Sequence, residues 1–271
     1  IGVDLLEFDV LLSRDDIPVI THNHEFHGSA VRGADGAFLN GEHPRVASLT
    51  MAEIERFDIG RLNADTEYGR RFPDQAQMDG VRVPRLGELL HLVSQPRYAT
   101  ACLMLELKSD PDFAQDSAVR ERIVSVICRD VREAKLADRT LLHSFDWALL
   151  AECRRQAPDM PLSFLTQLQE NEHDVGEDSS ILVTPDFSKP DMSVPDEVRK
   201  AGGSLWCPHF TELGADDLAH ARELGLAVAA WTVNEPDDIE AMIDFRVDAI
   251  VTDYPGRVQQ RLSERGFRWR R

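Results

Sequence analysis

Residues 5–23 read LLEFDVLLSRDDIPVITHN, and this stretch decides how the chain is to be folded. Glu7 and Asp9 sit two apart inside an apolar run formed by Val3, Leu5, Leu6, Phe8, Val10, Leu11 and Leu12. On a strand, residues two apart point to one face, so the two carboxylates look the same way. Like charges held that close raise each other's pKa, and a divalent cation held by both is the simplest remedy. The run breaks at Ser13-Arg14-Asp15-Asp16, whose residue types favour a turn, and a second apolar run, Ile17 to Ile20, ends at Thr21-His22. So short a link excludes a parallel crossover, and the two runs are expected to form a hairpin. A turn centred near residue 15 returns residue 22 to about the level of residue 8, which sets His22 beside the carboxylates. The plainer alternative is an edge hairpin with a solvated acidic face.

The composition excludes several classes of partner. A formal net charge of −18 over 271 residues argues against nucleic acid and against an anionic membrane surface, because both require a basic face. The apolar content of 42% suits a sizeable globular core. Cys102, Cys128, Cys153 and Cys207 are widely spaced with no CxxC pair, which points to neither a zinc site nor a disulfide framework. No apolar run reaches the length of a membrane span, so stable membrane insertion is not expected. A cytoplasmic location is the expectation, with a periplasmic or secreted one left open by a chain that begins at Ile1.

Downstream, Gly28, Gly33, Gly36 and Gly41 mark loops, and Thr50-Met51-Ala52-Glu53 carries a capping box for a short helix through Phe57. A polar loop is expected from Arg61 to Asp79, so residues 24–80 read as an insertion within a single 1–271 catalytic domain. Residues 84–93 are an amphipathic helix. From there strand-like runs at 102–107, 140–143, 162–165, 204–207, 227–231 and 249–251 alternate with helix-like stretches at 113–133, 147–156, 195–201, 215–224, 236–245 and 255–265. The acidic segment 167–180 reads as an inserted loop. This βα alternation predicts a parallel sheet with helices outside. Counting the first run there are seven such strands, and one more ahead of Ile1 would close a (β/α)8 TIM barrel. A doubly wound open sheet is the alternative, but no glycine-rich phosphate fingerprint supports it.

In such a barrel, chemistry collects at the carboxyl ends of the strands. Polar residues fall there. Glu106 and Lys108 in LELKSD share a face, and later strands end in His143-Ser144-Phe145, Trp231-Thr232-Val233-Asn234 and Thr252-Asp253. Structural roles compete at each position: a buried ion pair for Glu106 and Lys108, core packing for Trp231, and a satisfied core histidine for His143.

The ordered motifs LEFDV, PVITHN, LELK, HSFD, WTVN and IVTDYP resemble those of the glycerophosphodiester phosphodiesterases, over a span from Glu7 to Pro255. The resemblance implies a TIM barrel with a small insertion after the hairpin, and hydrolysis of a small-molecule glycerophosphodiester to glycerol 3-phosphate and an alcohol. It implies that Glu7, Asp9 and Glu106 hold one divalent cation, Mg2+ or Ca2+. His22 becomes one of two catalytic histidines and Lys108 a phosphate contact. Trp231 lines the pocket against the glycerol, and Phe145 also lies on the substrate side. The family's first-strand His-Arg-Gly has no counterpart in this sequence, and its usual His-Asp is His22-Asn23 here, which removes an orienting carboxylate.

Two rivals remain at this point. His22, His24, Lys108, His143, His209 and Asp253 follow the ligand order of zinc-dependent, amidohydrolase-like barrels, although that scheme leaves Glu7, Asp9 and Glu106 without a role. A catalytically degenerate barrel that merely binds phosphodiesters is the other.

Overall fold

A computed structural model describes residues 2–41, 43–111, 115–168, 184–189 and 192–267. Its strands follow the apolar runs closely: β1 Leu5–Leu12, β2 Pro18–Ile20, β3 Cys102–Leu107, β4 Thr140–Ser144, β5 Leu162–Thr166, β6 Leu205–Pro208, β7 Ala227–Ala230 and β8 Ala249–Ile250. They form one curled sheet in the order β2-β1-β3-β4-β5-β6-β7-β8. Every neighbour pair from β1 to β8 is parallel, and β2 alone runs antiparallel against β1. This is the TIM-barrel fold, with seven parallel strands among the described residues and the hairpin strand β2 at one edge.

The hairpin register is the expected one. Val10 pairs with Ile20 and Leu12 with Pro18, and the Thr21 amide donates to the Asp9 carbonyl at 3.2 Å, so residue 22 lies level with residue 8. The turn closes through Asp16, which takes the left-handed conformation at φ 62°, an orientation aspartate tolerates better than most residues. The Ser13 hydroxyl donates to Asp15 at 2.7 Å and accepts from the Ile17 amide at 3.0 Å.

The helices that follow the strands have identifiable starts. In α4, Ser117–Glu133, the Asp116 side chain accepts from the Ala118 amide, and in α5, Trp147–Gln156, the Asp146 side chain accepts from Leu149. α6, Val194–Ala201, is capped by Ser193 and stopped by Gly202 at φ 90°. α7 is Ala215–Glu223, and α8, Pro236–Phe245, and α9, Pro255–Glu264, each open on proline. Their apolar faces pack on the even-numbered side chains of β1 and the odd-numbered ones of β3, such as Val10, Leu103 and Leu105. The opposite face points inward. There Leu5, Met104, Leu141, Leu165, Leu205, Cys207, Ala227, Ala229 and Ala249 fill the barrel floor as a separate apolar cluster. The polar inward residues Glu7, Asp9, Glu106 and Lys108 follow at the carboxyl ends of the strands. Floor and mouth are thus two stretches of one inward stripe.

Between β2 and β3 lie α1 Met51–Ile54, α2 Glu67–Arg71 and α3 Leu86–Val93. Thr50 and Glu53 make the expected reciprocal cap, but α1 ends at Ile54 rather than Phe57. The polar stretch 61–79, expected to be a loop, contains α2: the Thr66 hydroxyl caps the Gly69 amide, and Tyr68 meets Phe72 edge-on at 5.2 Å. α4 begins at Ser117 rather than residue 113, with residues 112–114 outside the described set, and of the expected acidic loop 167–180 only residues 167 and 168 are described. Leu11, Val19, Phe26, Val31, Val46, Met51, Ile54 and Val83 form a small core for this region. Leu11 shares the face of Glu7 and Asp9, so the insertion packs on the continuation of the inward stripe, beside the mouth. No helix among the described residues is long and apolar enough to cross a membrane.

A partly exposed ion-pair network ties this region together. Arg32 pairs with Asp58 at 2.7 Å and with Asp79 at 2.8 Å, and Arg61 joins Asp79 at 2.6 Å. The amides of Gly60 and Gly80 and the Arg32 charge hold the Asp58 carboxyl below its usual range, and Arg61 and Arg32 do the same for Asp79. A depressed carboxyl pKa contributes stability above the unfolded-state value and loses it as pH falls through the folded one. Acidification to below about pH 3 should therefore expose amides 58–81 to hydrogen exchange before those of β3 to β6. Uniform exchange of both regions would refute this.

Candidate active site

Sheet register assembles the carboxylates. Asp9 pairs with Glu106 across β1 and β3, and Glu106 with His143 across β3 and β4. Glu7 stands two residues before Asp9 on the same face, and one carboxylate oxygen from each of Glu7, Asp9 and Glu106 lies within 4.8 Å of the others. Among the described residues, this is the group of His, Cys, Asp and Glu side chains arranged to hold a metal ion.

The electrostatics follow from that crowding. Although Glu7 keeps solvent contact at the mouth, desolvation by the surrounding protein and the adjacent Asp9 push its carboxyl up to about 8. Burial drives Glu106 well above the usual carboxylate range, with Asp9 and Glu7 adding to it and Lys108 opposing. Burial also works against ionisation of Asp9, but Lys108 and then His22 outweigh it and hold that carboxyl low. The Lys108 ammonium lies 3.2 Å from Asp9 and donates to the His22 carbonyl at 2.9 Å. One ammonium cannot balance three carboxylates. With all three ionised the cluster would carry more negative charge than Lys108 offsets, and that demand and the all-oxygen donor set fit a hard divalent cation, which takes carboxylate oxygens and tolerates irregular geometry.

His22 thus reaches the cluster in two ways. Its carbonyl fixes Lys108, and its exposed imidazole lies near enough for its charge to act on Asp9. The ring Nδ1 meets Asn23 Oδ1 at 2.7 Å. With Nδ1–H donated there, the neutral ring would carry its lone pair on Nε2. The orienting carboxylate absent from the sequence is replaced, as an acceptor, by an amide oxygen.

Trp231 lies just past β7, its indole nitrogen donating to the Cys207 carbonyl at 3.1 Å. Phe145 meets it edge-on at 5.2 Å, and His209 does so at 5.0 Å from another side. Phe145 also lines the cleft with Glu106, Lys108 and His24. Across the mouth, Asp253 adds to the negative charge felt by Glu7 and accepts from the Asn234 amide at 2.7 Å.

The zinc-hydrolase alternative does not survive this geometry. His143 is buried with Nδ1 2.6 Å from the Ser163 hydroxyl, and burial pushes it down to about 3, which makes it a neutral core histidine. His209 Nδ1 is 2.8 Å from Thr211, and the metal-capable cluster contains no histidine.

Sequence reading missed the supports around Lys108. The Ser144 hydroxyl donates to the Leu107 carbonyl at 2.7 Å, and the Ser109 hydroxyl donates to Asp146 at 2.8 Å. Arg45, from the insertion, reaches the buried Asp110 at 2.7 Å. In the sequence Asp146 stands out only as the last residue of the HSFD motif, with no sign of its contact with Ser109.

Known proteins resemble this chain in sequence and in fold. A glycerophosphodiester phosphodiesterase of Caldanaerobacter subterraneus subsp. tengcongensis is 24% identical over 255 residues, covering 94% of this chain and 84% of the relative. A crystal structure from Silicibacter pomeroyi DSS-3, described as a glycerophosphoryl diester phosphodiesterase, is 48% identical with a TM-score of 0.91, over 99% of this chain and 86% of that one. An Oleispira antarctica phosphodiesterase solved with its product sn-glycerol-3-phosphate has the same fold, with a TM-score of 0.69 at 18% identity, over 97% and 86% of the two chains. The family model for glycerophosphoryl diester phosphodiesterases matches residues 1–257, and the chain belongs to that family.

Proposed function

We propose that this protein hydrolyses glycerophosphodiesters to sn-glycerol 3-phosphate and a free alcohol, by histidine acid/base catalysis at a divalent-cation site. The observation that carries the reading is the trio Glu7, Asp9 and Glu106 at the barrel mouth, with Lys108 3.2 Å from Asp9. Family membership and the product seen in the Oleispira antarctica relative support the same substrate class.

Those three carboxylates would hold Mg2+ or Ca2+, which when bound offsets negative charge on phosphoryl oxygens. Lys108, 3.2 Å from Asp9, would place an ammonium beside the same oxygens and stabilise charge that builds in the transition state. His22 presents Nε2 for proton transfer, because Asn23 occupies Nδ1. It either takes the proton of the attacking water or of a neighbouring glycerol hydroxyl, or returns one to the departing alcohol. Trp231 and Phe145 supply an apolar wall for the carbon skeleton of the substrate.

The test is release of glycerol 3-phosphate from choline, ethanolamine, glycerol and inositol diesters, after chelation and again with Mg2+ or Ca2+ restored. Release that stops with chelator and returns with either ion is the expected result. A cyclic phosphate product in place of glycerol 3-phosphate would replace hydrolysis by attack of the glycerol hydroxyl. Release untouched by chelation would remove the cation from the reaction.

A further inference from the structure

We propose that Ser109, Ser144 and Asp146 form a buried bracket whose function is to position Lys108 and Glu106 for phosphoryl transfer; this deepens the reading above and rests on it. Lys108 lies just past the end of β3, where its amide still donates to the Val10 carbonyl at 3.1 Å before the chain passes into a loop. Its two chain neighbours are gripped as well, from the β4–α5 junction. On one side the Ser144 hydroxyl donates to the Leu107 carbonyl at 2.7 Å, and the same oxygen accepts from the Asp146 amide at 3.0 Å. On the other side the Ser109 hydroxyl donates to Asp146 Oδ2 at 2.8 Å. The second carboxylate oxygen of Asp146 accepts from the Leu149 amide at 3.0 Å, which anchors the bracket to the first turn of α5. Arg120 of α4 stands 3.6 Å from Oδ2 as its counter-charge.

All three side chains are buried: Ser109 is 5% exposed, Ser144 1% and Asp146 2%. An aspartate whose role was only to cap α5 would need neither the serine contact nor a place deep in the protein. A fully partnered network in a low-dielectric setting is stiff, since each member would leave another unsatisfied by moving. The bracket also borders a small void together with Glu106, Lys108 and Phe145, without itself being a candidate metal ligand. Its parts act through Lys108 and Glu106, so they are positioning residues. A shift of about 1 Å in a reacting group can cost about 100-fold in rate, so a single hydroxyl that fixes such a group has a large effect for its size.

The discriminating experiment is a double-mutant cycle on the full chain, combining Ser109→Ala with Lys108→Ala. An activated aryl phosphodiester serves as substrate, so that the Lys108→Ala rate stays measurable. Ser109→Ala alone should lower kcat/KM by about 10- to 100-fold, while Tm falls by only about 2–4 °C, as loss of one hydrogen bond in a chain of this length implies. In the Lys108→Ala background the same substitution should have little further effect on kcat/KM. Ser144→Ala, which loosens the other flank, should behave alike. If Ser109→Ala costs the same factor with and without Lys108, or if both serine variants turn over within twofold of wild type, the bracket does not act through Lys108 and the proposal fails. Should Lys108→Ala itself keep wild-type turnover, the assignment of Lys108 falls, and this proposal with it.

Discussion

Glu106→Gln is expected to lower kcat/KM by about 1,000-fold or more, on the scale of losing a principal electrostatic group, while leaving the cation-free protein as stable as wild type or more so. The two effects have one cause. Glu106 is buried at the end of β3, faces Asp9 across the register, and shares its surroundings with Glu7. Three carboxylates confined there repel one another, and burial penalises each charge. Glutamine is nearly isosteric, keeps an acceptor oxygen, and cannot take on the charge that burial and its neighbours disfavour. The proposed cation site, however, would lose a charged ligand. Thermal unfolding with and without Mg2+ or Ca2+ provides a second readout. A ligand that binds only the native state stabilises it by mass action, so wild type should gain Tm on adding the ion and Glu106→Gln should gain much less. A mutant that is active, or that gains as much Tm as wild type, would remove Glu106 from the site. Sites tuned for function commonly give up stability in this way.

Loss of the His22 imidazole should be the second large effect. His22→Ala is expected to reduce kcat by about 100- to 10,000-fold, the usual contribution of a positioned general acid or base. Its cost in stability should be small, because the ring is exposed and the carbonyl that receives Lys108 is retained. Asn23→Ala separates orientation from chemistry. It removes the acceptor 2.7 Å from Nδ1 but leaves the imidazole, so it should cost roughly tenfold, well short of His22→Ala. Equal losses in the two variants would mean that Asn23 has a role of its own beyond orienting the ring. Unchanged kcat in His22→Ala would exclude this histidine from proton transfer.

How much of this was legible beforehand depends on the range of the interaction involved. Glu7 and Asp9 could be placed on one face because the strand repeat is a local property, and the same holds for Glu106 and Lys108. The hairpin register was readable for a similar reason: the short turn leaves few ways to pair the strands, and Val10 does meet Ile20. The α2 helix was not readable, because at five residues its periodicity is too short to stand out from a polar loop. The exchange of roles at Asn23 was likewise hidden, since a missing carboxylate does not reveal that an amide oxygen will take its place.

By itself, then, the sequence determined the βα rhythm, the inward stripe and the residue types gathered at the strand ends. These follow from hydrophobic alternation and the geometry of the backbone. The three-dimensional structure alone decided which strands are neighbours, and so brought Asp9 opposite Glu106 although they lie far apart in the chain. It also showed that His143 belongs to the core and not to the cluster, and that Ser109, Ser144 and Asp146 close around Lys108. A hydrogen bond between distant residues depends on distances of a few tenths of an ångström, and no local propensity encodes those.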